Sequence, residues 1–235
     1  MSSTSIAFTK RQVVISCIIK IITVISSIVG IILTARPELN TELGCSVIFM
    51  YFTIQSNILI SLICLIGLFM LIKNKNVTST WLVFKFVGTI AITLTGFGFS
   101  FILAPAFGKG AWNVQNLLTH AIVPVMAIID FFVITCSTRL GYKNIIYVII
   151  PPVLYVIYAG IGYLNGWKFS GGLNYPYFFL NWGSQAGLFG FSDELPFIGT
   201  CWWILILLSF LMIVGFVYLV ISNSIYKVKK LKPEN

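Results

Sequence analysis

The sequence predicts an all-α, polytopic membrane protein: a six-transmembrane-helix bundle with both termini in the cytoplasm. Three observations carry that prediction. Of 235 residues, 58% are hydrophobic and only 9% are charged, where an ordinary soluble domain carries about 25% charged residues. The mean hydropathy is +0.99. The apolar residues fall in long blocks, each near the ~20 residues that a helix needs to cross the hydrocarbon core. Together these exclude a soluble globular protein, a disordered chain, a disulfide scaffold and a collagen-like repeat.

The blocks place spans at about 13–34, 46–72, 82–104, 114–137, 144–164 and 198–222. Lys10 and Arg11 precede the first run, but that run is too long for a signal-peptide core and no A-x-A-like site ends it, so it reads as a retained helix. Loops 73–81, 105–113 and 138–143 are short, which predicts helices two to five as sequential antiparallel neighbours within a single transmembrane domain over 1–235. Gly96 with Gly98 and Gly162 with Gly166 suit close helix packing, which small residues permit in lipid. Loop 165–197 is longer and crowded with rings, among them Trp167, Phe169, Tyr175, Tyr177 and Trp182. It reads either as an aromatic belt at headgroup level or as a lid roofing an outward cavity.

Charge sets the orientation. Twelve of the Lys and Arg residues, from Lys10 and Arg11 to Lys232, fall on one set of alternate sides, and three, Arg36, Lys109 and Lys168, fall on the other. The positive-inside rule then puts both termini in the cytoplasm of a plasma membrane and turns loop 165–197 outward. Because the basic residues sit between apolar runs, the net charge of +9 is a topology signal and not a nucleic-acid surface. The five Cys are scattered, with no metal-type spacing; Cys45 and Cys201 fall near outer helix ends, where a disulfide is an open alternative. One His and no cluster of ligands give no expectation of a metal or other cofactor.

Polar groups inside spans are costly and mark positions with a partner or a task. Thr53, Ser56, Asn57 and Cys64 share one face of the second helix; Asn116, His120 and Pro124 share one face of the fourth; Thr89, Thr93, Gly96 and Ser100 share one face of the third. Rise per residue puts Thr53 about 10 Å and His120 about 9 Å below the outer surface. A hydroxyl and the only His of the chain at one depth form a candidate nucleophile and base. Asn57 is a candidate oxyanion donor, with Ser56 beside it, and Asn116 or a backbone carbonyl is the candidate orienting group for the imidazole. The same stripes also suit a non-enzymatic protein that binds or transports a lipid or small solute. On the opposite side, Asp130 lies about 10 Å inside the fourth helix and Lys20 at similar depth, which predicts a structural ion pair with Lys85 as the second-choice partner.

The segments Tyr51–Asn57, Leu118–Pro124 and Asn174–Leu180 resemble the signatures of a family of bacterial six-span integral membrane proteins. That family is similar to the androgen-induced and androgen-dependent TFPI-regulating proteins, intramembrane threonine hydrolases of fatty-acid esters of hydroxy fatty acids. The resemblance implies that Thr53 is the catalytic nucleophile and His120, with Pro124 four residues on, the catalytic base. It implies a lipid or lipid-like ester as substrate, and a more distant similarity to a membrane acyltransferase adds acyl transfer to another lipid as an alternative.

Overall fold

Helix α1 (Lys10–Thr34) begins where the sequence caps it: Thr9 accepts from the Gln12 backbone N–H while the Gln12 side chain accepts from the Thr9 N–H. This reciprocal box satisfies two donors that a helix start leaves orphaned. The structure, a computed structural model, describes residues 9–35, 47–73, 75, 77–135 and 139–231. Helix α2 (Phe52–Ile72) starts later than the expected 46, because Val47–Met50 forms a 3-10 turn and Tyr51 is extended at φ −90°, ψ 140°. Thr53 therefore sits in the first turn of its helix instead of two turns in. Helices α3 (Ser79–Phe107) and α4 (Val114–Val133) are capped by Thr78 and Asn113, whose side chains accept from the backbone N–H of Trp81 and Asn116. In α5 (Tyr142–Leu164) the first eight residues, Tyr142–Ile149, are 3-10 and the α-helix begins at Ile150. Pro151 and Pro152 lack an N–H and fit only a first α-turn. Helix α6 (Thr200–Leu231) runs past the expected 222, since neither Gly nor Pro stands between Ser222 and Pro233.

All six helices are long and apolar enough to cross a membrane. Helix α1 packs between α2 and α4, and α3 closes the ring by packing on both. The expectation that helices two to five are sequential neighbours holds for α2–α3 and α3–α4 only: α5 makes its main contacts with α3 and α6. The core of the ring holds Ile60, Ile63, Ile92, Val123 and Ala127, and a second core under α5 and α6 holds Phe86, Ile90, Phe131, Val148 and Leu211. Outward positions such as Val14, Ile25, Phe69, Leu154 and Ile213 are exposed apolar residues, the lipid-facing surface of a bundle. Helix α6 is the least buried of the six; apart from Thr200, its buried residues are Leu211, Gly215, Leu219 and Ser222, so Cys201–Phe210 buries none.

At the end of the ring away from loop 165–197, Lys20 Nζ lies 2.6 Å from both carboxylate oxygens of Asp130, and Ser16 Oγ donates to Asp130 Oδ1 at 2.6 Å. Lys85 also pairs with the Asp130 carboxylate and donates to its backbone carbonyl at 3.1 Å. The partner and its second choice are thus both engaged, in a cluster of two ammonium groups on one carboxylate, with exposures of 3%, 3% and 1%.

The four glycines divide. A Cβ on Gly96 would meet the His120 carbonyl oxygen and Pro124 Cβ at 3.0 Å, so this one does let α3 approach α4. Gly162 makes room for the Trp167 ring from the following loop, Gly166 ends α5 at φ +69°, and Gly98 has open space where a side chain would stand. Helix–helix packing therefore explains only Gly96.

Candidate active site

Thr53 owes its availability to its place in α2. Within a helix a Thr hydroxyl bonds the carbonyl four residues back, as Thr23, Thr89, Thr93 and Thr119 do at 2.7–2.8 Å. Thr53 stands in the first turn, where the residue four back belongs to the preceding 3-10 turn, and its hydroxyl turns across the bundle to His120 Nε2 at 3.3 Å. Sequence spacing and depth thus point to two side chains that the fold brings within reach.

His120 is carried by a π-turn, Leu118–Ile122, and faces a second one, Phe99–Leu103 of α3. One extra residue per turn re-aims side chains, and such turns occur frequently at functional sites. Here they stack Phe99 on the imidazole at 4.0 Å between ring centroids and 26° between planes, which fixes the ring plane. The imidazole is 8% exposed.

The tautomer follows from the partners of Nδ1. Thr119 Oγ1 lies 2.9 Å away and the Asn116 backbone carbonyl 3.2 Å away. The Thr119 hydroxyl hydrogen is already given to the Gln115 carbonyl at 2.8 Å, so its oxygen can only accept, and a carbonyl accepts by nature. Both partners therefore require Nδ1 to carry the proton, and Nε2 presents its lone pair to Thr53 Oγ1. Of the two candidates for the orienting group, the Asn116 backbone takes the role; its side chain donates instead to the Ala111 carbonyl at 2.8 Å.

Asn57 is not free to donate to an oxyanion. Its Nδ2 is spent on the Thr53 carbonyl at 2.8 Å and the Thr119 carbonyl at 3.2 Å, and its Oδ1 is buried with no partner among the described residues. It is a strut tying the first turn of α2 to the His120 turn. Ser56 likewise binds Thr95 Oγ1 at 2.6 Å and the Thr53 carbonyl at 3.0 Å, pinning α2 to α3. The stripe Thr89, Thr93 does not line the site: Thr93 meets Tyr218 of α6, and the cavity face of α3 is Leu94, Thr95, Gly98, Phe99, Ile102 and Leu103.

The site residue to which sequence reasoning gave no role is Tyr177. Helix α2 has no side-chain cap of its own; the Tyr177 phenol oxygen accepts from the Thr53 backbone N–H at 3.4 Å and lies 3.5 Å from Thr53 Oγ1. Burial pushes this phenol up to about 12, so it keeps its hydrogen and stays a donor. The loop that carries it folds onto the bundle end. Phe169 and Leu180 are buried, Tyr177 stacks on Phe179 with 5.1 Å between centroids, and the Ser170 N–H donates to Tyr51 at 2.9 Å. Its outer rings, Phe189, Phe191 and Phe197, are exposed. The loop is thus a roof over the pair, with the exposed rings at its rim. Cys45 lies outside the described residues, so the Cys45–Cys201 pairing falls there too; Cys201 is a free thiol.

Two cavities meet at Thr53. One, of about 590 Å³, lies under the roof and is lined by His120, Asn116, Thr119, Tyr51, Ser170 and Tyr175 among others. The other, of about 80 Å³, is a narrow slot between α3, α5 and α6. No family model, curated protein or solved structure matches the chain. What fold and site define is a class: a polytopic helical membrane protein with a Thr–His pair enclosed at one end of its bundle.

Proposed function

We propose that the chain is an intramembrane acyl-ester hydrolase in which Thr53 is the nucleophile and His120 the general base. The observation that carries this reading is the fixed Nδ1 proton, which leaves Nε2 unprotonated and facing Thr53 Oγ1 at 3.3 Å. The hydroxyl proton passes to Nε2 as Oγ1 bonds the ester carbonyl carbon. The carbon–oxygen bond to the alcohol then breaks, and the alcohol leaves with the proton from Nε2. Water attacks the acyl-threonine, gives its proton to Nε2 and releases the acid, with the proton returned to Thr53; an acceptor alcohol in place of water gives acyl transfer. The Tyr177 O–H is one donor for the oxyanion, and the Thr53 backbone N–H, at the positive end of α2, is the second once it leaves the Tyr177 oxygen to which it donates at 3.4 Å. The geometry agrees with the roles that the resemblance assigns to Thr53 and His120.

The test is covalent. A fluorophosphonate probe is expected to label the purified protein once, with the adduct mapped to Thr53 by peptide mass spectrometry; labelling at another residue, or none, overturns the reading. A second expected result concerns Gly96. Gly96→Ala sets a methyl 3.0 Å from the His120 carbonyl and shifts the turn that holds the imidazole by a few tenths of an ångström, so labelling should slow by up to about tenfold, less than the ~hundredfold that a misplacement of about 1 Å costs. Circular dichroism should be unchanged. The reading also keeps the bundle in a plasma membrane with both termini cytoplasmic and the Thr53 end outward, on the Lys and Arg distribution. A reporter fused after Asn235 that works only in the cytoplasm should be active, and activity of an exported-type reporter there would reverse the orientation.

A further inference from the structure

The two cavities at Thr53 differ in the group each offers to the reaction. Five rings, Phe52, Phe99, Tyr155, Tyr177 and Phe179, line the slot together with aliphatic side chains that include Leu94, Ile102, Val156 and Leu208. It lies behind Cys201–Phe210, the stretch of α6 that buries no residue. The wide chamber contains His120, which the slot does not, and sets the polar groups of Tyr51, Thr119, Ser170, Tyr175 and Asn116 among apolar walls such as Ile48, Phe107 and Leu173. Among the described residues no Lys, Arg, Asp or Glu lines either cavity.

Resting on the Thr53–His120 reading, the geometry points to a neutral long-chain acyl ester of a polyol as the substrate, with its acyl chain in the slot and its alcohol part in the wide chamber. The orientation follows from the proton. The departing alkoxide must receive it from His120 Nε2, so the alcohol lies on the imidazole side of Thr53, and the acyl chain, attached to the same carbonyl carbon, leaves the reacting centre on the other side, where the slot begins. The slot's lining, without His or charge, suits a hydrocarbon chain, and the larger volume of the chamber, about 590 Å³ against about 80 Å³, leaves the chamber to the alcohol part. The neutral character follows from the described lining: a phosphate or carboxylate in the chamber would be desolvated beside hydroxyls and an amide, with no cation among the described lining residues to pair with it. A glycerol-like headgroup instead finds donors and acceptors.

Gly98 supplies the test. Its backbone is helical at φ −59°, ψ −40°, and a Cβ there meets nothing within 4 Å, so a side chain enters the slot without disturbing the helix. The full chain, in lipid nanodiscs, is assayed on 1-monoacylglycerols from butyryl to stearoyl and on lysophosphatidic acids of matched chains. The wild type should favour the longer chains, by about fourfold per added methylene until the slot is full, and should cleave the charged esters at least about tenfold less well. Gly98→Leu, with Leu208→Trp as a second slot variant, should lower the long-to-short ratio of kcat/KM at least about tenfold. Binding of radiolabelled 1-O-hexadecylglycerol, an uncleavable ether, gives a readout free of turnover: Thr53→Ala should hold it, and Thr53→Ala with Gly98→Leu should hold it at least about tenfold more weakly. An unchanged chain-length ratio and unchanged ether binding in both slot variants overturn the slot assignment while leaving the Thr53–His120 reading standing. Equal cleavage of the charged esters overturns the neutral substrate class. Slot-dependent ether binding with no Thr53-dependent cleavage of any ester overturns the enzymatic reading instead.

Discussion

Thr53→Ala and His120→Ala should each lower kcat/KM for ester cleavage by at least about a thousandfold, and the double variant should be no slower than the worse single one. Nucleophile and base act as one unit, so losing either removes the same step. The fold should survive both changes: Thr53 is half-buried at a cavity wall, and His120 is held by a stacked ring, the Thr119 hydroxyl and the Asn116 carbonyl, which remain in place. Steady-state kinetics alongside a thermal unfolding curve checks the expectation. A graded loss in ligand affinity with cleavage retained would mark the pair as a binding feature. Tyr177→Phe should have an intermediate effect, on the order of a hundredfold in kcat, because one oxyanion donor is removed while the Thr53 backbone N–H remains.

Asp130→Asn should destabilise the bundle by about 3–5 kcal/mol, the cost of breaking a buried ion pair from one side. Lys20 and Lys85 both lie at 3% exposure and share this single carboxylate, so the substitution strands two ammonium groups where water does not reach. Lys85→Met should be far milder, because it leaves one cation on one anion with the Ser16 hydroxyl still bonded to it. Asp130→Asn combined with Lys20→Met and Lys85→Met should regain part of the loss, the non-additivity that charges in one network show. Thermal unfolding in detergent measures all four proteins. A stable but inactive Asp130→Asn would instead place the carboxylate in the chemistry.

Much of this was legible from residues alone, and the reasons are physical. Span positions follow from hydropathy because lipid demands continuous apolar helix. Thr53 and His120 stand out because a hydroxyl stripe and a solitary imidazole at matched depth are rare in apolar runs. The π-turns were not legible, since an i→i+5 bond leaves no residue pattern that periodicity detects. They bring Phe99 face to face with His120, a pairing that regular helix periodicity does not give. Tyr177 was one of the many rings of loop 165–197, where no repeat ranks one above another; the resemblance at Asn174–Leu180 marked its segment without giving the residue a role. Asn57 was misassigned because a side-chain amide shows its type in sequence but not which groups use it.

The unburied stretch Cys201–Phe210 of α6 has a kinetic meaning. A lipid held in the bilayer meets this side of the bundle by sliding in two dimensions, with no passage through water. Turnover should then follow the mole fraction of ester among the surrounding lipids, and diluting the same amount of ester with inert phospholipid should slow the reaction even though its bulk molarity is unchanged.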